Sequence, residues 1–424
     1  MTCSPHTGRS RGVLSAFRHR NFALFWLGAL LSNAGSWMQN LAVPFVVYQL
    51  TASAAWVLFA GFLQFLPVVF VGPLGGSIAD RHPRRTVLLV TQLAQALVAA
   101  TLAIVWASGR GSLPVVIGLV MMGGVIGGLN IPSWQAFVSE LVPRDDLLNA
   151  VTLNSMQFNA ARFLGPLAGG LVLGTIGVTA AFALNAVSFL AVISALLLIR
   201  ANPAPRVQPA GRSLWADFVT AIRATRRYPG ILACFVAVVA LGGLGGPVSQ
   251  QLVVFAREVF GVGDFAYGLL GAALGFGSIL GAPIIGRAGG RIARSRLLFV
   301  AMVAYGGALV TFGAAPVYAV AFGALLVGGA GYLAIASTLN TTIQLQVEEA
   351  IRGRVLAIYI MFLTAALPLG LLLQGLAVSV IGPRATVVGA GLVFFAVTGW
   401  LKTGSGLMSH LDDDGPAEPA TADP

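Results

Sequence analysis

The sequence predicts an all-α membrane protein with twelve transmembrane helices in two six-helix, pseudo-symmetric bundles. Three observations carry that expectation. Of 424 residues, 57% are hydrophobic and 9% charged, with a mean hydropathy of +0.87. A soluble domain carries roughly 25% charged residues, so this chain cannot cover a water-facing surface. Apolar stretches of about 20 residues, each long enough to cross a bilayer, then recur along the chain. Finally, one long polar interruption divides those stretches evenly, and a motif in the first group returns in the second.

The stretches run over residues 22–48, 54–79, 87–107, 114–138, 149–173 and 178–199, then 230–256, 265–287, 296–313, 316–344, 354–379 and 384–402. The expected organisation is a cytoplasmic tail at 1–21, a bundle at 22–199, a Pro- and Arg-rich linker at 200–229, a second bundle at 230–402 and an acidic, Pro/Ala-rich, disordered tail at 403–424. The first stretch is too long for a signal-peptide core and ends in no small-residue cleavage pattern, so it reads as a span that stays. The repeated motif is Gly72-Pro73-x-x-Gly76-x-x-x-Asp80-Arg81, which aligns with Ala282-Pro283-x-x-Gly286-x-x-x-Gly290-Arg291. Pro, Gly and Arg recur, and Gly290 stands where the first half has Asp80. Glycines are abundant, at 53, and pairs such as Gly72/Gly76, Gly124/Gly128, Gly165/Gly169, Gly271/Gly275 and Gly277/Gly281 put small residues on one helix face, where membrane helices pack.

Charge placement sets the orientation. Basic residues cluster before span 1, between spans 2 and 3, in the 200–229 linker, between spans 8 and 9 and before span 11; the alternate loops hold only Arg110, Arg257 and Arg384. The positive-inside rule therefore places both termini in the cytoplasm of a multi-pass protein of the cell (inner or plasma) membrane. The net charge of +11 is spread over short loops rather than gathered on one face, which argues against nucleic acid as a partner. Cys3 and Cys234 differ too much in depth to pair, and no metal-ligand spacing or cofactor motif occurs. His6, His19, His82 and His410 lie in tails or loops, leaving no histidine relay inside the spans.

The loop between spans 2 and 3 reads Gly76-x-x-x-Asp80-Arg81-x-x-Arg84-Arg85. Gly76 is expected to let two helices approach closely, and Asp80 to accept hydrogen bonds from helix N-terminal amides or an arginine. The pattern resembles the corresponding loop of the major facilitator superfamily. Span 5 carries Arg162-Phe-Leu-Gly165-Pro166-Leu-Ala-Gly169-Gly170, and the run from Gly165 to Gly170 resembles the span-5 signature of exporters in that superfamily. Asn130-x-Pro132-x-x-Gln135-Ala136, Leu141-Val142-Pro143, Asn154 and Asn159 resemble the branch that includes the enterobactin exporter and macrolide efflux proteins. The resemblance implies gradient-driven export of small molecules, usually with protons as coupling ion; the chain is expected to act as a monomer in the lipid bilayer on a small-molecule substrate. One departure is clear: neighbouring drug/proton antiporters carry an arginine in the middle of span 4, where this chain reads Met121-Met-Gly-Gly-Val-Ile-Gly-Gly128. The acidic residues all lie in loops, tails or span ends, so proton coupling is inherited from the resemblance and not read from residues.

Polar residues inside the spans form helical stripes. Asn33, Trp37, Asn40 and Pro44 share a face of span 1; Ser155, Asn159, Arg162 and Pro166 share one of span 5; Ser337, Thr341 and Gln344 share one of span 10. With Gln64, Gln135 and Gln250 they are candidates to line a substrate cavity, and equally to tie helices together. Arg162 is the one charge placed deep in a span, at a cost of roughly 2.5–3.5 kcal/mol, so it must face protein or water. Either it braces backbone carbonyls freed by Pro166, or it lines the cavity and favours neutral or anionic substrates. Glu140, Arg352 and Arg354 are candidates for a cytoplasmic charge network, with Arg354 a possible partner of Asp80. An importer of sugars or organic anions is the alternative on the same fold. A non-transporting receptor would need a larger soluble region, and a membrane enzyme a reactive cluster that the spans lack.

Overall fold

The computed structural model describes residues 14–199, 228–289 and 291–413. After a short turn at Ser15–Arg18, α1 spans Arg20–Thr51 and stops where Ala52 takes a left-handed φ of 46°. Ser53 then accepts a hydrogen bond from the Trp56 amide and starts α2, Ala54–Arg81. α3 (Arg84–Ala107), α4 (Leu113–Glu140), α5 (Leu147–Thr175) and α6 (Val178–Leu198) complete the first half. In the second half α7 covers Pro229–Val259, with π-helical turns at Leu241–Gly245 and Phe255–Val259. α8 (Asp264–Ala288), α9 (Arg294–Ala314) and α10 (Tyr318–Gln346) follow. The last run, Glu349–Gly399, is broken at Gly382, whose φ of 77° and ψ of 169° turn the chain back. It is two helices, α11 (349–381) and α12 (383–399). Every expected span falls on one of these helices.

Nine described segments are long and apolar enough to cross a membrane, the last of them containing both α11 and α12. α1 and α5, with 32 and 29 residues, are long enough but fall outside that set. They carry the amides of Asn33, Gln39, Asn40, Asn154 and Asn159 and the charge of Arg162. Spans that break the apolar pattern in this way sit inside a bundle rather than against lipid.

Within the first half α1 packs on α5 and α6, and α2 on α4; within the second, α8 and α9 pack on α10. The halves meet through α5 against α8 and α2 against α11. Their contact is uneven. Met38, Leu41, Phe45, Val57, Leu102 and Phe182, from the Thr51 end of the first half, share one continuous core with the second half. Phe22, Phe25, Leu88, Phe137, Leu153 and Leu196, from the Arg20 end, form a separate core made of the first half alone. The molecule is therefore sealed between its halves at the Thr51 end and parted at the Asp80 end.

Helix ends explain several charges. Arg85 donates to the carbonyls of Leu196 (2.6 Å) and Leu197 (3.1 Å), satisfying the C-terminus of α6. Arg384 does the same for α9 at Ala315 (2.9 Å). The expected disordered tail needs correcting over its first part. Asp412 accepts from the Ser295 amide (3.2 Å) and hydroxyl at the start of α9, Gln346 donates to the carbonyls of His410 (2.6 Å) and Asp413 (3.0 Å), and Leu411 is fully buried. Acidity here serves as a helix N-cap rather than as a solvated tail. The rest of that tail, most of the N-terminal tail and of the linker, and Gly290 lie outside the described residues.

Candidate functional site

A cavity of about 390 Å³ opens at mid-height between the halves. The first half contributes Ser36, Gln39 and Asn40 from α1, Gln64, Phe65 and Val68 from α2, Gln95 from α3, residues Leu119–Ile131 in part from α4, and Asn185 and Phe189 from α6. The second contributes Leu241, Gly242 and Gly246 from α7, Tyr332 from α10, and Leu363, Thr364 and Leu367 from α11. Its polar groups are amides and hydroxyls, and none of the lining residues is acidic. Gln64 donates to Asn40 Oδ1 (3.0 Å), Asn185 to Gln39 Oε1 (2.8 Å) and Gln95 to the Gly123 carbonyl (3.2 Å), so each amide is held by a partner on another helix.

A side pocket shares Tyr332 and Gly246 with this cavity and is lined by Arg162, Gly245, Ser249 and Tyr305. The Arg162 guanidinium carbon lies 4.7 Å from the ring centroid of Tyr332 and 5.5 Å from that of Trp37. Tyr332 belongs to the second half and Trp37 to the first, so the arginine spans the interface. The expected brace to carbonyls near Pro166 is absent among the described residues, and aromatic faces take its place.

Of the other candidates, Asn40 and Gln64 line the cavity. Asn33 instead donates to Gln157 Oε1 (3.2 Å) and ties α1 to α5. Ser155 and Asn159 donate to carbonyls of their own helix, at Val151 (3.0 Å) and Ser155 (2.9 Å). Gln135 is exposed on α4, and Gln344 is exposed and bonds Asn340 within α10. Gln250 is buried against Gly61 of α2, where it packs the interface rather than the cavity. Gln39, Gln95, Asn185 and Tyr332 were not singled out by sequence. The first three were findable as amides within apolar stretches, Gln39 beside Asn40, Gln95 one turn after Gln92 and Asn185 by itself; a tyrosine in an apolar helix gives no such signal.

The helix-5 motif makes two contacts. A Cβ on Gly165 or Gly169 would meet Ala34, Trp37, Met38 or Leu41 of α1, within the half. A Cβ on Gly170 would lie 2.6 Å from Gly268 Cα, and one on Gly271 would lie 2.9 Å from Pro166 Cβ, both across to α8. Each pair four residues apart thus serves one neighbour. Beyond it, Tyr48 donates to Glu258 Oε1 (3.0 Å), Tyr267 donates to the Leu41 carbonyl (2.8 Å), and Arg257 lies 5.2 Å from the Phe45 ring, all joining the halves at the Thr51 end.

At the other end the loop expectations change. The close-approach glycine is Gly75, where a Cβ would lie 2.6 Å from the Gly128 carbonyl; nothing lies within 4 Å of one on Gly76. The two residues differ by about 100° around the helix, and only the first faces α4. Asp80 is exposed and has no hydrogen-bond partner among the described residues, and Arg81 is exposed beside it. Glu140 pairs with Arg84 (2.8 Å) rather than with Arg352 or Arg354. Arg352 donates to the Val347 carbonyl (3.2 Å), while Arg354 lies half-buried one turn into α11.

Comparison with known proteins agrees with this architecture. Residues 11–406 match the model of a family described as transmembrane secretion effector, MFS_3. Among relatives, the multidrug resistance protein MdtG of Salmonella arizonae is 27% identical over 293 residues, covering 67% of this chain and 70% of that protein. MdtG of Citrobacter koseri is 27% identical over 292 residues with the same coverage. Among solved structures, a bacterial homologue of the human lysosomal transporter Spinster, in an inward-facing and unoccupied conformation, has a TM-score of 0.73 at 15% identity, covering 95% of this chain and 99% of that one. A POT family transporter in complex with 5-aminolevulinic acid has a TM-score of 0.74 at 12% identity, covering 92% and 97%. The fold, the cavity shared by two halves and the match over nearly the whole chain lead to one conclusion: this protein is a membrane transporter that belongs to the transmembrane secretion effector family of the major facilitator superfamily.

Proposed function

We propose that this transporter exports small amphipathic molecules, such as drugs, siderophores or other secondary metabolites, across the cell membrane as a monomer, driven by a gradient with the proton as coupling ion. The observation that carries the reading is the mid-height cavity, lined by both halves, sealed toward Tyr48 and Glu258 and parted toward Asp80. A carrier needs one site reachable from either side in turn, and small-residue contacts such as Gly170 on Gly268 suit helices that must rock while staying packed. The arginine distribution supports a cytoplasmic position for the Asp80 end and both termini, in which case this state loads from inside. Export rather than import is supported by the helix-5 motif and by the MdtG relatives, whose name states multidrug resistance. Proton coupling rests on the family resemblance. Efflux of a dye and metabolite panel in everted vesicles, with and without an imposed proton gradient, tests the reading. Accumulation inside everted vesicles that collapses with the gradient is expected; uptake into intact cells instead would make it an importer.

A further inference from the structure

Arg162 has five N–H donors and no hydrogen bond or carboxylate partner among the described residues. Its side chain lines the side pocket of about 50 Å³ that shares Tyr332 and Gly246 with the cavity. Around it stand Tyr332, Trp37, Tyr305 and Ser249, and neither its pocket nor the adjoining cavity contains an acidic side chain or a second base. Nearby, Gln39 and Asn40 act as acceptors in their protein hydrogen bonds, which leaves their amide N–H groups available. The side pocket thus holds a positive charge met by aromatic faces and by no carboxylate among the described residues, and it adjoins a cavity with a surplus of donors and an apolar wall of Phe65, Val68, Leu363 and Leu367.

An uncompensated charge at mid-membrane is costly, and a guanidinium favours carboxylates through paired, charge-assisted hydrogen bonds. We propose that Arg162 is the anion-recognition point of the substrate site, and that the preferred substrates are amphipathic carboxylates whose apolar bodies lie along the α2–α11 wall. This rests on the transporter reading and narrows its substrate class. The placement also ties binding to movement. Tyr332 and Trp37 belong to opposite halves, so a carboxylate that engages Arg162 acts at the point where the halves slide.

The test uses the full-length protein in nanodiscs of zwitterionic lipid, with equilibrium dialysis of three matched probes: 2-naphthoate, 2-naphthamide and (2-naphthylmethyl)trimethylammonium. Naphthoate is expected to bind about 10- to 100-fold more tightly than naphthamide, with the cation weakest. Arg162→Gln should abolish that preference, bringing the naphthoate-to-naphthamide affinity ratio to about 1; Arg162→Lys should keep its sign and reduce its size, because the planar fork is lost. Circular dichroism and gel filtration establish that each variant is folded. Equal affinities for naphthoate and naphthamide, a preference for the cation, a preference that survives Arg162→Gln, or no binding of any probe by folded wild-type protein would overturn the inference. Vesicle efflux judges the other reading separately. Robust extrusion of cationic dyes without naphthoate preference keeps the exporter and loses the anion site, whereas naphthoate preference without transport does the reverse.

Discussion

Gly170 of α5 and Gly268 of α8 meet so closely that a Cβ on Gly170 would lie 2.6 Å from Gly268 Cα. The contact joins the halves on the sealed side of the cavity, and no neighbouring side chain is available to yield, because the opposing atoms are backbone. Gly170→Ala must therefore push α5 from α8, at a cost of about 1–3 kcal/mol charged to this conformation. A cost of that size shifts a two-state population roughly 5- to 150-fold toward the state open at the Tyr48 end. A cysteine placed at Leu41 should react faster with an impermeant maleimide in the Gly170→Ala background than in wild type. An unchanged rate would mean that the contact does not report on closure.

Asp80 behaves differently, because in this state it has no partner among the described residues to lose. Its expected role is to latch the Asp80 end in the opposite state, accepting charge-assisted hydrogen bonds near the start of α11, where Arg354 lies. Such bonds contribute roughly 1.5–3 kcal/mol. Asp80→Asn should thus leave thermal stability of the purified protein nearly unchanged in this conformation while lowering transport at normal membrane abundance. Wild-type transport rates in that variant would remove Asp80 from the cycle.

The sequence made the helices legible because lipid imposes length and apolarity on each span separately, and it parted even spans 11 and 12, which the structure separates at Gly382 alone. It also singled out Arg162 by isolation and the Gly165–Gly170 run by composition. What it left open is which face of each stripe meets which neighbour. Asn33 and Asn40 lie seven residues apart on one face of α1, yet one ties α5 and the other lines the cavity, since helix crossing changes the neighbour along the length. Gly75 and Gly76 show the same limit at one-residue resolution. Tyr332 was invisible because its role comes from the opposite half, and pairings between halves leave no spacing signal within either.

Topology can be tested at two exposed positions. Ser112 starts α4 at the sealed end, and His82 follows α2 at the Asp80 end. With Cys3 replaced and Cys234 fully buried, single cysteines at these sites report orientation by impermeant maleimide labelling of intact cells. Reaction at position 112 and protection at position 82 are expected from the arginine distribution. The reverse pattern would invert the transporter and turn the proposed export into uptake.

The amide of Gln374 offers a test of how α7 is held beside the cavity. Pro247 has no N–H to return to the preceding turn, which is already π-helical over Leu241–Gly245. Gln374 of α11 fills the gap, donating to the carbonyls of Gly243 (3.2 Å) and Leu244 (2.9 Å), and Gln251 in turn donates to Gln374 Oε1 (2.9 Å). Both glutamines are buried and the two carbonyls belong to half-buried residues, so Gln374→Leu strands two carbonyls and one amide and should cost about 1–3 kcal/mol, read as a lower thermal unfolding midpoint in detergent. Pro247→Ala restores a backbone donor to the same turn. The loss caused by Gln374→Leu should therefore be smaller in the Pro247→Ala background than in wild type, a coupling that a double-mutant cycle isolates. Additive losses would mean that Gln374 stabilises α7 by packing alone, and that the π-helical turn satisfies its own carbonyls.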